Sequence, residues 1–249
     1  MDIPAFEELV KQIKINFWLI GIPFNDVKLH FRFYLLLFSL MIMVAEECGF
    51  LFVEYSPENL LEITELTPCT CIGILSALKI ISITPYRHKI FKLTESLNEL
   101  YSETLENQAA KKLITKKIIL MKNLVTYYFV LNVVLVSVYN FSSVVIMSYT
   151  YIKTGKTVFY LSYAILVPFS IDTWPTWSLA FIHAISSGYI CVLLFTTIDA
   201  LYYVLSLHIC NNFSLLAEDI RCLNETNSQN IRDIVKKHQH LLKKVFYQT

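Results

Sequence analysis

Several ionisable side chains interrupt long apolar stretches of this sequence, and they are the first candidates for chemistry. Glu46 and Glu47 are adjacent in one stretch, Lys79 lies in a second, and His183 and Asp199 lie in a third. If these stretches cross a membrane, each charge in the hydrocarbon costs about 3 kcal/mol even on lenient scales. We expect Lys79 to snorkel to the headgroups. We expect the two glutamates to face a wet cavity or another helix rather than Lys79. The alternative is that they lie at the membrane interface, and the same alternative holds for Asp199.

No pattern in the sequence assembles a catalytic centre, so we predict no catalytic residues. The motifs HExxH and GxSxG are absent, and the five glycines lie too far apart to form a phosphate-binding loop. His238 and His240 point to different faces of a helix, which favours packing or solvated histidines over metal ligands. We therefore expect no metal and no cofactor. The formal net charge of +1 provides no global field for nucleic acid.

The six cysteines show neither the spacing of a zinc site nor the density of a disulfide scaffold. Most are expected to be small apolar fillers. A disulfide among Cys48, Cys69 and Cys71 is the alternative, because all three fall near one side of the membrane in the topology derived next.

The composition predicts a helical membrane protein. Residues of the AVILMFWYC set make up 55% of the 249 residues and charged residues only 16%, which is unusual for a soluble domain. Since a helix needs about twenty mostly apolar residues to cross a bilayer, four stretches qualify. They lie at about residues 31–52, 66–84, 124–151 and 177–203. The predicted fold class is all-α, a polytopic bundle of four transmembrane helices over residues 31–203.

The distribution of Lys and Arg orients the bundle. Residues 1–32, 85–122 and 204–249 hold four, eight and six of them, whereas the two alternate connections hold none and two. Basic residues are retained in the cytoplasm, so both termini are predicted to be cytoplasmic. The predicted location of the bundle is the plasma membrane.

The segments outside the bilayer are assigned from the apolar spacing. Residues 1–30 form a cytoplasmic N-terminal segment. Residues 85–122 form a helical loop, in which one apolar face is expected at Ile90, Leu93, Leu97 and Leu100 and a second, less regular one at Leu113, Lys116, Lys117 and Leu120. Residues 204–249 form a helical hairpin. Such stripes must be buried against a juxtamembrane bundle or a neighbouring subunit.

The outer connection, residues 153–176, is rich in aromatic residues. Two interpretations stand side by side: an interfacial aromatic belt, or a lid over a pocket for an apolar small molecule. Phe169, Trp174 and Trp177 are the candidate lid residues.

With the segments in this order, the chain resembles the insect odorant receptor family. The most specific stretch is VPFSIDTWPTWSLAFIHAISSGYICVLLFTTIDALYYVLSLHICNNFSLLAEDI. Within it, the family pattern around the fourth helix is matched by Pro168, Phe169, Trp177, Phe181, Asp199, His208, Phe213 and Leu216, although the family usually has Tyr in place of Trp177 and Phe181. The family has seven helices and a cytoplasmic N-terminus. The resemblance therefore implies an incomplete chain that ends before the fifth helix and does not conduct alone.

The resemblance also implies a function. In the family, an odorant binds in the outer half of the bundle through apolar and aromatic contacts and opens a cation channel formed with a shared co-receptor. Placed on this sequence, the ligand contacts would be Cys71, Leu75, Tyr139, Ser143, Met147, Phe181 and His183. The implied partners are a small volatile organic ligand, the co-receptor in a hetero-tetramer, and membrane lipid. A gustatory receptor and a non-receptor four-span assembly protein are the alternatives.

Overall fold

The computed structural model describes residues 6–23, 28–53, 60–106 and 108–221, with 231–232, 234–236 and 238–239. The long helices are α1 (Phe6–Ile20), α2 (Phe31–Val53), α3 (Leu60–Ile83), α4 (Arg87–Glu106), α5 (Gln108–Thr154) and α6 (Trp174–Arg221). A single 3₁₀ turn, Thr84–Tyr86, joins α3 to α4. The part of the chain that is described contains no strand, which confirms the predicted all-α class.

Four helical stretches are long and apolar enough to cross a membrane. They are Phe31–Val53, Leu66–Ser102, Ile114–Thr154 and Trp174–Arg221, and each contains one predicted span. Helices α5 and α6 have 47 and 48 residues. At 1.5 Å per residue each is about 70 Å long, more than twice the hydrocarbon thickness of about 30 Å. Both therefore extend well beyond the bilayer, as the apolar spacing after the fourth span predicts.

Helix α1 is amphipathic, and it lies in a segment for which no helix was predicted. Its buried side chains recur at helical spacing, at Phe6, Leu9, Val10, Ile13, Asn16, Phe17 and Ile20. It lies antiparallel to α4, because Phe17 contacts Phe91 (ring centroids 6.1 Å apart) and Phe6 contacts Tyr101 (5.8 Å). The buried face supplies the missing partner for the apolar stripes of the other helices.

The extramembrane bundle consists of α1, α4, residues 108–123 of α5 and residues 204–221 of α6. The predicted face of α4 is confirmed, since Leu93, Leu97 and Leu100 are at most 9% exposed. The predicted face of α5 is wrong: Leu120 is 58% exposed, whereas the buried side chains are Ile114, Ile118 and Met121. The two lysines at 116 and 117 are exposed, because solvating them is less costly than burying them. The second arm of the hairpin, including His240, lies largely outside the described residues.

The outer connection is irregular between α5 and α6. Helix α5 ends at Thr154, and Gly155 follows in a left-handed conformation (φ +69°) that glycine adopts without strain. Residues 155–173 then fold back onto the outer ends of the helices.

Candidate functional site

Tyr163 of the outer connection is inserted among the outer halves of the helices. Its side chain is 7% exposed, and its hydroxyl donates a 2.9 Å hydrogen bond to Asn140 Oδ1 of α5. Its ring packs edge-on against Tyr139 at 4.9 Å. Gly188 of α6 makes room for it, because a Cβ there would lie 2.6 Å from the Tyr163 hydroxyl oxygen. These residues, with Ser143, are called the outer cluster below.

A second loop residue bonds to α5 beside Tyr163. The Ser162 hydroxyl lies 2.8 Å from the Asn140 carbonyl oxygen and 3.0 Å from Ser143 Oγ. Asn140 is fully buried, and its Nδ2 has no hydrogen-bond partner among the described residues. A buried amide donor without a partner costs about 1 to 3 kcal/mol. The outer cluster therefore contains one unsatisfied donor in otherwise aromatic and apolar surroundings.

Aromatic rings cover the outer end of α6. Trp177 stacks on Phe181 with centroids 4.6 Å apart, and its Nε1 donates a 2.7 Å hydrogen bond to the carbonyl of Tyr160. Trp174 packs edge-on against Trp177 at 5.8 Å and against Phe159 at 5.2 Å. Trp177 thus fixes the loop to the helix, while Trp174 is 58% exposed. Phe169 is 37% exposed and has no ring contact with this group in the described part of the chain.

The two glutamates of α2 contact other helices, as predicted. Glu46 Oε2 lies 3.1 Å from His183 Nε2 of α6. Glu47 is 3% exposed and faces Thr70 of α3. The Leu166 amide of the outer loop donates to the Glu46 carbonyl at 3.3 Å, so α2 also holds the loop.

The predicted ligand residues fall into two groups. Tyr139, Ser143 and Met147 share the inward face of α5, where Ser143 is 2% and Met147 7% exposed. Phe181 and His183 lie on the outer part of α6, where Phe181 stacks on Trp177 and His183 contacts Glu46.

The two predicted residues of α3 lie elsewhere. Leu75 is 44% exposed, and Cys71 lines an open groove of about 540 Å³ between α2 and α3. Cys69 of α3 faces the outer cluster instead and hydrogen-bonds to Tyr139. Helical spacing alone could not choose between these two faces of α3, because both carry a cysteine.

The possible disulfide is absent. No disulfide joins Cys48, Cys69 or Cys71 in the structure. The main expectation for the cysteines, as small side chains among apolar neighbours, fits Cys48 and Cys69, which pack against buried apolar residues.

An ion pair links the inner halves of three helices. Lys79 Nζ of α3 lies 2.6 Å from Asp199 Oδ1 of α6, and the Tyr128 hydroxyl of α5 donates to Asp199 Oδ2 at 3.1 Å. The ammonium also lies 3.7 Å from the centroid of the Phe195 ring. The expectation that Lys79 snorkels is therefore wrong, because a carboxylate on the facing helix satisfies its charge within the bundle. Lys79 and Asp199 are called the inner ion pair below.

Asn140, Tyr163 and Gly188 are site residues that the sequence patterns did not predict. A polar amide and a glycine in the interior of a helix, both within apolar stretches, were visible signals for Asn140 and Gly188. Tyr163 had no such signal, because tyrosine is common in any outer connection. No group of three or more His, Cys, Asp or Glu side chains that could hold a metal is found among the described residues.

The family model described as 7tm Odorant receptor matches residues 59–245, about three quarters of the chain. The match covers α3 to α6 and thus both the outer cluster and the inner ion pair. A comparison with curated proteins finds no significant match. The sequence left three interpretations open: an odorant receptor, a gustatory receptor and a non-receptor four-span protein. The family match agrees with the odorant receptor.

Proposed function

The chain belongs to the odorant receptor family, a family of receptors and channels rather than of enzymes, and we propose that it binds small volatile odorants in the outer half of its bundle. It does so as the odorant-specific subunit of a ligand-gated cation channel, in a hetero-tetramer with the family's co-receptor. The chain lies in the plasma membrane with its N-terminus in the cytoplasm. The distribution of Lys and Arg supports this orientation.

The observation that carries the proposal is the buried, unpartnered Nδ2 of Asn140 within the outer cluster. Small-molecule sites are mostly apolar and contain a few polar groups that fix the ligand's orientation. A donor that lacks a protein acceptor favours a ligand with an acceptor. The chemical class is therefore an apolar volatile with one carbonyl or hydroxyl oxygen, such as an ester, ketone, aldehyde or alcohol.

The remaining contacts follow from the same geometry. Tyr139, Met147 and Phe181 supply apolar and aromatic surface, whereas Ser143 and His183 supply hydrogen bonds. Trp174, Trp177 and Phe169 form the lid, with Trp177 as its fixed point. Cys71 and Leu75 would contact only a ligand that enters by the groove between α2 and α3.

Gating follows from insertion of the ligand beside the loop residues of the outer cluster. Tyr163 and Ser162 hydrogen-bond to Asn140 and Ser143, so a ligand that accepts from Asn140 Nδ2 must share this space with them and thereby shifts the loop's equilibrium. The loop is bonded to α2, α5 and α6, and a change in its position is therefore transmitted to all three helices.

The experiment is odorant binding to the chain carrying Trp18→Phe, reconstituted in lipid nanodiscs and followed by the fluorescence of the two remaining tryptophans, Trp174 and Trp177. We expect a saturable response to at least one oxygenated volatile in a panel. Asn140→Leu is expected to weaken that binding about tenfold, the equivalent of one hydrogen bond, while hydrocarbon analogues bind as before.

The matched control is Asn132→Leu, on the same helix. The Asn132 amide already donates to the Tyr128 carbonyl at 2.8 Å and lies away from the outer cluster. It should leave odorant affinity unchanged. Absence of any saturable response, or equal losses in both variants, would contradict the proposal.

A further inference from the structure

A groove of about 630 Å³ runs along the extramembrane bundle between α1 and α4. Its lining includes Glu7, Lys14, Trp18, His88, Lys92 and Glu95. Because α1 and α4 are antiparallel, the C-terminal part of α1 lies beside the first turns of α4. The groove therefore has one end near the membrane and one end far from it.

The near end is set against the bilayer by the start of α2. The His30 amide donates to the Gly21 carbonyl at 3.0 Å, and a Cβ on Gly21 would lie 2.7 Å from the Phe33 amide nitrogen. Helix α1 thus ends against the first turn of a transmembrane helix. The last turn of α3 and the first turn of α4 lie on either side of a single 3₁₀ turn, so His88 is also close to the membrane.

The charges along the two helices that border the groove are segregated. Basic side chains come first on α4, at Arg87, His88, Lys89 and Lys92, and acidic ones follow at Glu95 and Glu99. On α1 the order is reversed, with Glu7 at the far end and Lys14 nearer the membrane. Basic residues in the first turns of a helix oppose its dipole, so this order does not serve the stability of α4.

Trp18 and Arg32 complete the near end. The Arg32 guanidinium lies 4.4 Å from the Trp18 ring centroid, and its Nη2 donates to the Trp18 carbonyl at 3.2 Å. Trp18 is 53% exposed, and Ile15 and Leu19 beside it are each 42% exposed. An exposed tryptophan with apolar neighbours and a cation is the composition of a membrane interface anchor.

We propose that the near end of this groove binds the phosphate headgroup of an anionic phospholipid. His88, Lys92 and Arg32 contact the phosphate, and Trp18 lies against the glycerol and upper acyl chains. The lipid belongs to the leaflet on the α1 side of the membrane, which is the cytoplasmic leaflet in the orientation proposed above. The site does not depend on odorant binding.

The test is native mass spectrometry of the delipidated chain titrated with phosphatidylserine or phosphatidylcholine. We expect the anionic lipid to bind about 25-fold more tightly, and Lys92→Gln or Arg32→Gln each to reduce this preference about fivefold. Lys92→Arg keeps the charge and should keep the preference. Lys111→Gln, an exposed lysine far from the membrane on α5, is the matched control and should change nothing.

Three results would overturn the proposal. These are equal affinity for the two lipids, equal effects of Lys92→Gln and Lys111→Gln, or displacement of the lipid by millimolar inorganic phosphate, which would show a site for free phosphate. Failure here leaves the odorant proposal intact, because Trp174 and Trp177 report odorant binding from the opposite side of the membrane.

Discussion

At the scale of single residues, the inner ion pair joins two charged side chains that lie within the apolar stretches of α3 and α6. The side chains of Lys79 and Asp199 are 24% and 31% exposed, so solvent screens the pair only in part. Removing one partner leaves a charge without its counterion near the hydrocarbon. We expect Asp199→Ala to destabilise the bundle by about 1 to 3 kcal/mol, and Lys79→Met to restore part of the loss in the double variant. Unfolding in mixed detergent micelles measures both.

The control for this double-mutant comparison is the ion pair between Lys122 and Glu8. Their side chains are 45% and 59% exposed, and their charged atoms are 3.2 Å apart. Exposed pairs contribute about 0 to 1 kcal/mol, so Glu8→Ala should have little effect. If the two pairs gave the same coupling energy, Lys79 and Asp199 would not form a protected contact.

Residue-level prediction from the sequence succeeded within one helix and failed between helices. Positions 139, 143 and 147 share a face because helical spacing requires it. The residues that meet this face come from elsewhere: Tyr163 from the loop and Gly188 from α6. Nothing local in the sequence pairs Lys79 with Asp199, since the contact depends on how α3 and α6 pack.

At the scale of elements, α1 is a structural part of the bundle and not only an N-terminal extension. Ile13 and Ile15 offer a matched comparison, because the same side chain is 1% exposed at the first position and 42% at the second. We expect Ile13→Ala to destabilise the protein by about 2 to 4 kcal/mol through the cavity it leaves, and Ile15→Ala by less than about 1 kcal/mol. Thermal unfolding of the two variants in one detergent measures the difference. Equal losses would mean that α1 does not pack as described.

The elements differ in how well the sequence predicts them. Long apolar runs predict the four spans, because hydrocarbon solvent imposes a length and a composition that no packing detail overrides. The buried face of α5 next to the membrane was assigned to the wrong side, because Leu120 is apolar but exposed. The apolar residues Leu9, Ile13, Phe17 and Ile20 recur three or four positions apart. This spacing could have predicted helix α1.

At the scale of the whole molecule, the account requires residues 155–173 and the extramembrane bundle to lie on opposite sides of the membrane. Gly155→Asn creates the glycosylation sequence Asn-Lys-Thr with Lys156 and Thr157. Asparagine tolerates the left-handed backbone there, and no atom lies within 4 Å of the added Cβ. We expect the variant to gain an endoglycosidase-sensitive mass shift that Thr157→Ala abolishes. A shift in the unaltered chain, at its native Asn224-Glu-Thr226 sequence, would mean the inverted orientation.

The central claim is that this chain confers odorant specificity on a channel. It is tested most directly by the current evoked by oxygenated volatiles in cells that express the co-receptor together with this protein. The account predicts an odorant-evoked cation current that requires both proteins and that becomes less sensitive to the odorant in Asn140→Leu but not in Asn132→Leu. A current with the same odorant sensitivity in all three forms would contradict the placement of the site in the outer cluster. No odorant-evoked current from any panel member would contradict the receptor function itself.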